Sequence, residues 1–179
     1  DDVVFISDCL AKVKRALFDA DVVAEVIKLD PLSLFSRHGL ALHYGQSHHM
    51  RDIVALDLTQ ELDTIWSSQF SRSNRKTIKK AINHGISVGV DEQGNKLAAF
   101  AHLYQSTMDA NRASKFYYFS PDYIKGINKL FPKNAVVLYA CHGDTIISAL
   151  ILLKDTNRAF CHLIGTDRGS MNLGGNNLL

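Results

Sequence analysis

Residues 134–165 read NAVVLYACHGDTIISALILLKDTNRAFCHLIG, and this stretch decides the fold class. It contains three runs rich in β-branched and aliphatic residues, and short polar segments that suit turns separate them. The first turn contains Gly143 and Asp144, and the second covers residues 155–157. Strands joined by such short connections pair antiparallel, because parallel pairing needs a longer crossover. The stretch therefore predicts an antiparallel meander over residues 134–142, 145–154 and 157–165.

Helical patterns alternate with further strand-like runs upstream of the meander. Gly85 ends one helical pattern, and Ser120 with Pro121 begins another, since these residue types favour the C′, N-cap and first helical positions. Predicted helices cover residues 7–20, 60–69, 71–84, 95–110 and 121–130. Predicted strands outside the meander cover residues 22–29, 52–58 and 86–90. This order predicts an α+β fold, with a mixed, mostly antiparallel sheet flanked by helices.

The bulk composition indicates a globular chain. Hydrophobic residues make up 46% of the 179 residues, enough for a substantial core, and a charged fraction of 21% argues against disorder. No apolar run approaches the roughly 20 residues that cross a bilayer, so we expect no integral membrane insertion. The N-terminal residues lack the basic and apolar regions of a signal peptide.

The three cysteines indicate a reducing compartment. Their odd number and wide spacing argue against a disulfide scaffold, which favours a cytoplasmic location. Cys141 and Cys161 lie in strand-like runs, where we expect them to be small buried hydrophobic residues. Trp66 is also expected in the core.

The segment FSRSNRKTIKKAINHG, residues 70–85, concentrates positive charge on one helix face. At about 100° per residue, five cations share one stripe, and Ile78, Ala81 and Ile82 lie opposite and can pack on a core. We call these five the cationic stripe: Arg72, Arg75, Lys76, Lys79 and Lys80. A pyrophosphate, a tRNA backbone or an anionic lipid suits such a stripe, whereas the alternative is an ordinary solvated helix. Its predicted substrate-binding residues are Arg72, Arg75, Lys76 and Lys79.

Residues 165–179, GTDRGSMNLGGNNLL, form a segment that we call the glycine bend. It follows a predicted strand and leads into a predicted helix. Glycines let a backbone approach a ligand closely, and free N–H groups at a helix N-terminus bind phosphate. The alternative is a flexible connection to a capped helix. The predicted donor-binding residues are Gly165, Arg168, Gly174, Gly175 and Asn176.

Four segments, in this order, resemble the Fem-type (FemABX-like) family of non-ribosomal peptidyl and aminoacyl transferases: RSNRKTIKKAINHGISV, FAHLYQSTMDANRASKFYYFSPDYI, VLYACHGDTIISALILL and CHLIGTDRGSMNLGGNNLL. The resemblance covers residues 22–179 and implies the GNAT-like acyltransferase fold. It also implies a fragment of a two-lobed protein. Residues 1–58 would be the C-terminal part of a first lobe, and residues 59–179 would be most of a second lobe, truncated at its C-terminus.

The resemblance also implies the substrates. Fem-type enzymes use aminoacyl-tRNA as donor and a peptidoglycan precursor as acceptor, and relatives with the same fold use acyl-CoA. The glycine bend lacks a clean form of the acetyl-CoA signature, a Gln or Arg followed by G-x-G/A, which favours aminoacyl-tRNA. The implied partners are a phosphate-bearing envelope precursor and tRNA, with peripheral contact at the inner face of the membrane. No tightly bound cofactor is implied.

Transfer to an amine needs a neutral nucleophile, a route for its proton and a stabilised oxyanion. His162 and Asp167 are the predicted catalytic residues, because a histidine on an inner strand near the substrates can carry the proton and Asp167 adjoins the same bend. A packed core histidine is the alternative. Tyr117 and Tyr118, in SKFYYFSP, are predicted to line the acceptor pocket, and core packing explains them equally well.

Metal binding is not indicated by the sequence. His48 and His49 are adjacent and point apart on regular structure. His38 and His43 have no cysteine or paired carboxylate at ligand spacing.

Three functions remain open on the sequence alone. The first is aminoacyl transfer to an amine of a peptidoglycan or envelope precursor. The second is transfer from acyl-CoA to an amino sugar by a GNAT-type acyltransferase. The third is a non-catalytic module that binds a polyanion through its basic face.

Overall fold

A computed structural model describes residues 2–30 and 45–179. The chain divides into two compact units, Asp1–Leu56 and Asp57–Leu179. That these units are parts of two GNAT-like lobes, with a boundary after residue 58, stays a prediction.

The described part of the first unit contains one helix, α1 (Asp2–Asp19). Residues 22–29 and 52–58 form no strand, so the strands predicted there are wrong. A strand is stable only when its backbone N–H and C=O groups find partners, and no described strand pairs with either segment. Val23, Val26 and Val54 are instead 100%, 96% and 98% exposed. A local apolar pattern therefore did not suffice to form a strand here.

The second unit is α+β. Its helices are α2 (Leu62–Thr64), α3 (Arg72–Asn83), α4 (Leu97–Ala110), α5 (Pro121–Leu130) and α6 (Gly175–Leu178). Its strands are β1 (Ile86–Asp91), β2 (Ala135–His142), β3 (Thr145–Lys154) and β4 (Ala159–Thr166). A π-helical turn (Ile65–Gln69) continues α2, and two 3₁₀ turns cover Lys115–Tyr117 and Arg168–Leu173. The helices predicted over residues 71–84, 95–110 and 121–130 are confirmed within two residues at each end.

Two serines begin α3 and α5. Ser71 accepts a hydrogen bond from the backbone N–H of Asn74 (3.1 Å), and Ser120 accepts one from the backbone N–H of Tyr123 (3.2 Å). Each bond satisfies an N–H group that has no partner inside the helix. Ser120 is therefore the N-cap that the sequence predicted.

The four strands form one sheet in the order β1-β2-β3-β4, and every pairing is antiparallel. The predicted meander is therefore confirmed. Two register shifts interrupt the pairing. Between β2 and β3 the extra residue is Ile147, and between β3 and β4 it is His162. Such bulges twist a strand and redirect side chains.

Helices cover the two faces of the sheet unequally. α4 and α5 pack on one face, where Phe100, Ile124, Val137 and Ile151 are among the buried residues. We call this the α4/α5 face. On the other face, which we call the α3/α6 face, a smaller cluster joins α3 to the sheet and receives α6. Its buried residues are Ala81, Ile86, Ala140 and Ile147.

Four burial predictions need correction. Ile82 is 57% exposed, because at about 100° per residue it lies only about 20° from Arg75 and about 100° from Ala81. Cys161 is exposed on β4, which has no described strand on its outer side, and Cys141 is half-buried near the end of β2. Trp66 is half-buried, with its ring edge against Phe70 at 5.8 Å between centroids.

Candidate functional site

The cationic stripe lies on α3, and its members have different roles. The Nη1 group of Arg75 donates to the carbonyl oxygens of Trp66 (3.1 Å), Ser67 (2.9 Å) and Phe70. These carbonyls lie at the end of a helical segment, where no intrahelical donor remains. Arg75 is half-buried and holds this end against α3. Its charge is therefore used within the fold.

Three direct contacts join α3 to the glycine bend. The Nζ of Lys80 donates to the carbonyl oxygen of Asn172 at 3.1 Å. The amide of Asn177 donates to Oδ1 of Asn74 at 2.7 Å. Gly174 has φ +79°, and a Cβ there would lie 2.9 Å from Cγ2 of Thr77. The two elements that the sequence singled out are thus neighbours.

The remaining cations of the stripe are exposed. Arg72, Lys76 and Lys79 form no hydrogen bond or ion pair with any residue in the described ranges. α3 contains no acidic residue, so the positive charge of its exposed face is not neutralised within the helix. Like charges at i,i+4 repel by a few tenths of a kcal/mol per pair, which an anionic ligand would reverse.

The glycines of the bend serve close packing. A Cβ on Gly165 would lie 2.5 Å from the backbone nitrogen of Tyr104 on α4. A Cβ on Gly175 would lie 3.1 Å from Cδ1 of Ile147. Arg168 is exposed at the start of the 3₁₀ turn. The backbone of β4 therefore touches α4 directly, and α6 rests on β3.

A polar network anchors α6 at the end of β4. Oδ1 of Asn176 accepts from Oγ1 of Thr166 at 2.7 Å and from Oγ of Ser148, which is fully buried. Thr107 on α4 completes the network, because its Oγ1 accepts from the N–H of Thr166 at 2.8 Å. The side-chain oxygen of Asn176 is therefore engaged inside the protein.

His162 lies on β4 and meets α5. Its Nε2 is 3.2 Å from Oη of Tyr123, and its ring centroid is 6.4 Å from that of Phe160. Burial lowers the pKa of His162 below its usual value, so the ring is neutral at pH 7. A neutral imidazole can accept a proton. Sequence reasoning missed Tyr123, because no local pattern joins residues 39 positions apart.

The structure does not bring Asp167 to His162. Asp167 follows the end of β4 and is five positions from His162, a distance of about 16 Å along an extended chain. Oδ2 of Asp167 accepts from Oγ of Ser170, and its N–H donates to the carbonyl oxygen of Ile147 at 2.8 Å. Asp167 therefore begins the 3₁₀ turn of the glycine bend.

Residues 116–119 form what we call the aromatic segment, and its last ring, Phe119, leads toward His162 through Tyr123. Rings stack from Tyr104 to Phe119 (6.0 Å) and from Phe119 to Tyr123 (4.6 Å). Oη of Tyr104 donates to the carbonyl oxygen of Tyr117 at 2.8 Å. Oη of Tyr118 donates to Asp109 at 2.9 Å, and this bond raises the pKa of Tyr118 above its usual value. Tyr117 and Tyr118 remain 47% and 37% exposed, so both can still touch a ligand.

The site residues thus form two groups on opposite faces of the sheet. The cationic stripe and the bend after Asp167 pack with the α3/α6 face, whereas His162 and the aromatic segment lie with the α4/α5 face. β4 connects the groups, since His162 lies on this strand and the bend continues from its end at Thr166.

Two surface cavities lie elsewhere in the second unit. One, of about 400 Å³, is lined by residues that include Asp91, Lys96 and Tyr139. The other, of about 510 Å³, lies between Leu58 and the turn that joins β3 to β4. Neither includes a predicted site residue.

Residues 2–30 and 45–179 contain no group of three or more His, Cys, Asp and Glu side chains that could hold a metal ion. His38 and His43 lie outside the described residues. Over the same ranges, no helix has the length and apolar character required to cross a membrane.

Comparison with known proteins gives the family. The model described as the FemAB family matches residues 31–168. FemAB domains are GNAT-like, and the antiparallel sheet flanked by helices agrees with that fold, so the predicted Fem-type resemblance and fold class are both confirmed. No curated protein matches the chain. Because the family match covers well over half of its length, the chain belongs to the FemAB family, whose members are transferases.

Proposed function

We propose that the chain belongs to an aminoacyltransferase that moves an aminoacyl group from aminoacyl-tRNA to an amine of a peptidoglycan or envelope precursor. Membership of the FemAB family supports this proposal, since the family acts in the modification of peptidoglycan precursors. The observation that carries it further is the contact between α3 and the glycine bend.

That contact creates a surface suited to a phosphate-bearing substrate. Arg72, Lys76 and Lys79 are exposed and unpaired within the described ranges, and Lys80 ties their helix to the bend through Asn172. Clustered cations attract a polyanion over about 10 Å at moderate salt. We assign these cations, together with Arg168 of the bend, to phosphates of the donor or the precursor.

The second group of residues is assigned to the acceptor amine. His162 is neutral and half-buried, which suits a group that takes a proton from an attacking amine. Tyr117 and Tyr118 precede Phe119, whose ring stacks on Tyr123 beside His162, and we assign both tyrosines to acceptor binding. A donor that follows the β4 edge from the bend would bring its reactive end near His162.

Four predicted residues support the site through the fold. Gly165, Gly174, Gly175 and Asn176 permit or hold the packing of the bend on α3, α4 and β3. We therefore propose that they shape the donor site and that the side chain of Asn176 does not bind the donor. Asp167 is assigned the same role, because it begins the 3₁₀ turn within the bend and accepts a hydrogen bond from Ser170.

The proposed donor determines the location. Charged tRNA is made in the cytoplasm, so we place the reaction there, at the inner face of the membrane where a lipid-linked precursor is reached by peripheral contact. The reaction needs no tightly bound cofactor, because the aminoacyl ester is already activated.

The test is a transfer assay with the full chain and a peptidoglycan precursor, comparing charged tRNA with acyl-CoA as donor. We expect product when charged tRNA is the donor and no product when acyl-CoA is the donor. Product with acyl-CoA alone would assign the chain to the GNAT-type reaction on an amino sugar. Salt-dependent binding of polyanions with no product from either donor would make it a binding module.

A further inference from the structure

We propose that Tyr123 is a positioning residue that holds His162 in its Nε2–H tautomer, so that Nδ1 takes the proton of the acceptor amine. This inference rests on the proposed function, because it assigns the proton route of the same transfer. Nothing in the local sequence joins the two residues.

The β-bulge allows their contact. The pairing of β3 with β4 passes from Ile151–Leu163 to Leu152–Cys161, which leaves His162 as the extra residue. A bulged residue is free of strict strand alternation, and its side chain can turn toward a neighbouring element. The ring of His162 turns toward α5, where Nε2 lies 3.2 Å from Oη of Tyr123.

Tyr123 is held both at its ring and at its backbone. Phe119 stacks on it at 4.6 Å between centroids, with 22° between the ring planes. The N-cap Ser120 accepts from its backbone N–H at 3.2 Å. The N-cap bond and the stacked ring limit the conformational freedom of the Tyr123 side chain, as a positioning residue requires.

Two arrangements satisfy this hydrogen bond, and we assign the one in which Nε2–H donates to Oη of Tyr123. A neutral imidazole has one donor nitrogen and one acceptor nitrogen. When Nε2–H donates to Oη of Tyr123, the acceptor is Nδ1, which has no hydrogen-bond partner among the described residues. The reverse arrangement would place a hydrogen on Nδ1 and leave that nitrogen unable to accept a proton. Only the first arrangement leaves a ring nitrogen with an unused lone pair that can accept a proton.

The proton balance of the step is complete. The acceptor amine attacks the carbonyl carbon of the aminoacyl ester and forms a C–N bond, while the amine proton moves to Nδ1 of His162. The ring is then an imidazolium whose Nε2–H still donates to Tyr123. When the ester C–O bond breaks, the leaving hydroxyl of the donor takes the proton from Nδ1. The net reaction is ester plus amine to amide plus alcohol.

The first test reads the tautomer without substrate. The full chain labelled with ¹⁵N-histidine is measured by long-range ¹H–¹⁵N correlation at pH 7.5, and His162→Gln identifies the signal of His162 among the eight histidines. We expect the Nε2–H pattern in the wild type and a mixture of tautomers in Tyr123→Phe. The phenylalanine keeps the stack on Phe119, so folding is preserved. Tyr139→Phe, which removes a hydroxyl elsewhere on the sheet, should leave the pattern unchanged.

The second test is kinetic. We expect Tyr123→Phe to lower kcat about five- to tenfold, the worth of one neutral hydrogen bond, with KM unchanged. His162→Gln should lower kcat by about a hundredfold or more. An Nδ1–H pattern in the wild type, or an unchanged pattern in Tyr123→Phe, overturns the proposal. If the wild type transfers from no donor while Tyr123→Phe shows the expected tautomer shift, the proposed function is overturned and the positioning of His162 by Tyr123 still stands.

Discussion

Nζ of Lys80 donates to the main-chain oxygen of Asn172, 3.1 Å away, and links α3 to the glycine bend across 92 residues of chain. Lys80→Met keeps an unbranched apolar stem and removes the donor. We expect amide hydrogen exchange within Arg168–Leu173 to become about two- to fivefold faster, since one hydrogen bond contributes about 1 kcal/mol or less at the surface. Exchange measured by mass spectrometry checks this.

Lys79→Met is the matched control for Lys80. It removes the same charge from the next position of α3, where the lysine makes no bond to a described residue. Exchange in the 3₁₀ turn should not change. Equal acceleration in both variants would mean that net charge, and not the bond to Asn172, holds the bend.

Arg75 should matter for stability more than any other cation of the stripe. Its guanidinium donates to carbonyl groups at the end of the π-helical turn. A hydrogen bond to a charged group contributes about 1.5–3 kcal/mol to the free energy of unfolding. We expect Arg75→Ala to lower the free energy of unfolding by about 1–3 kcal/mol, measured by urea denaturation. Arg75→Lys should recover only part of this, because lysine lacks the planar fork. Lys76→Ala should stay within about 0.5 kcal/mol of the wild type, and a larger loss there would contradict the division of roles.

Sequence reasoning succeeded where structure is local. The meander and α3–α5 follow from apolar period, serine caps and short turns, each within a few residues. The strand predicted over residues 22–29 failed because a strand depends on a partner that its own residues do not specify. The predicted burial of Ile82 was wrong for a different reason: a 100° rotation from Ala81 is enough to place a side chain outside the buried face of α3.

The exposed cations of the stripe should control binding of nucleic acid. The triple variant Arg72→Ala, Lys76→Ala and Lys79→Ala should fold as the wild type does and bind uncharged tRNA more weakly. Three lost phosphate contacts should reduce the slope of log K against log salt by about 2. Fluorescence anisotropy across a salt series measures the slope.

The control removes three charges from another surface. Lys125, Lys129 and Lys133 are exposed on and after α5, away from α3. Their triple alanine variant should keep the wild-type salt slope. The same loss of slope in both variants would show that tRNA follows net charge, and the assignment of the stripe would then be abandoned.

The candidate site was predictable only in part. A run of cations and a glycine-rich segment stand out in the sequence, and the structure places them in contact through Lys80 and Gly174. The use of Arg75 as a cap and the pairing of Tyr123 with His162 depend on the approach of elements distant in sequence. No period or motif encodes such approaches, so the sequence grouped Arg75 with the predicted substrate-binding cations Arg72, Lys76 and Lys79.

The low pKa of His162 predicts a pH effect on stability. Burial lowers this pKa in the folded state, whereas the unfolded chain has the usual value near 6.5. As pH falls below about 7, the unfolded state therefore binds a proton that the folded state does not, and stability is lost. We expect His162→Phe to lose less stability than the wild type between pH 7.5 and 5.5 in urea denaturation. An unchanged pH dependence in His162→Phe would contradict the burial effect.

The close packing of Gly165 against α4 is tested by two glycine substitutions. A Cβ on Gly165 would lie 2.5 Å from the backbone nitrogen of Tyr104, and a helix backbone cannot move aside as a flexible side chain can. Gly165→Ala should therefore lower the free energy of unfolding by about 1–3 kcal/mol, the range for overpacking. Gly126→Ala has nothing within 4 Å of its new Cβ and lies inside α5, so it should raise stability by about 0.5–1 kcal/mol. Both values come from urea denaturation. If Gly165→Ala were neutral, β4 would have to lie farther from α4 than it does here.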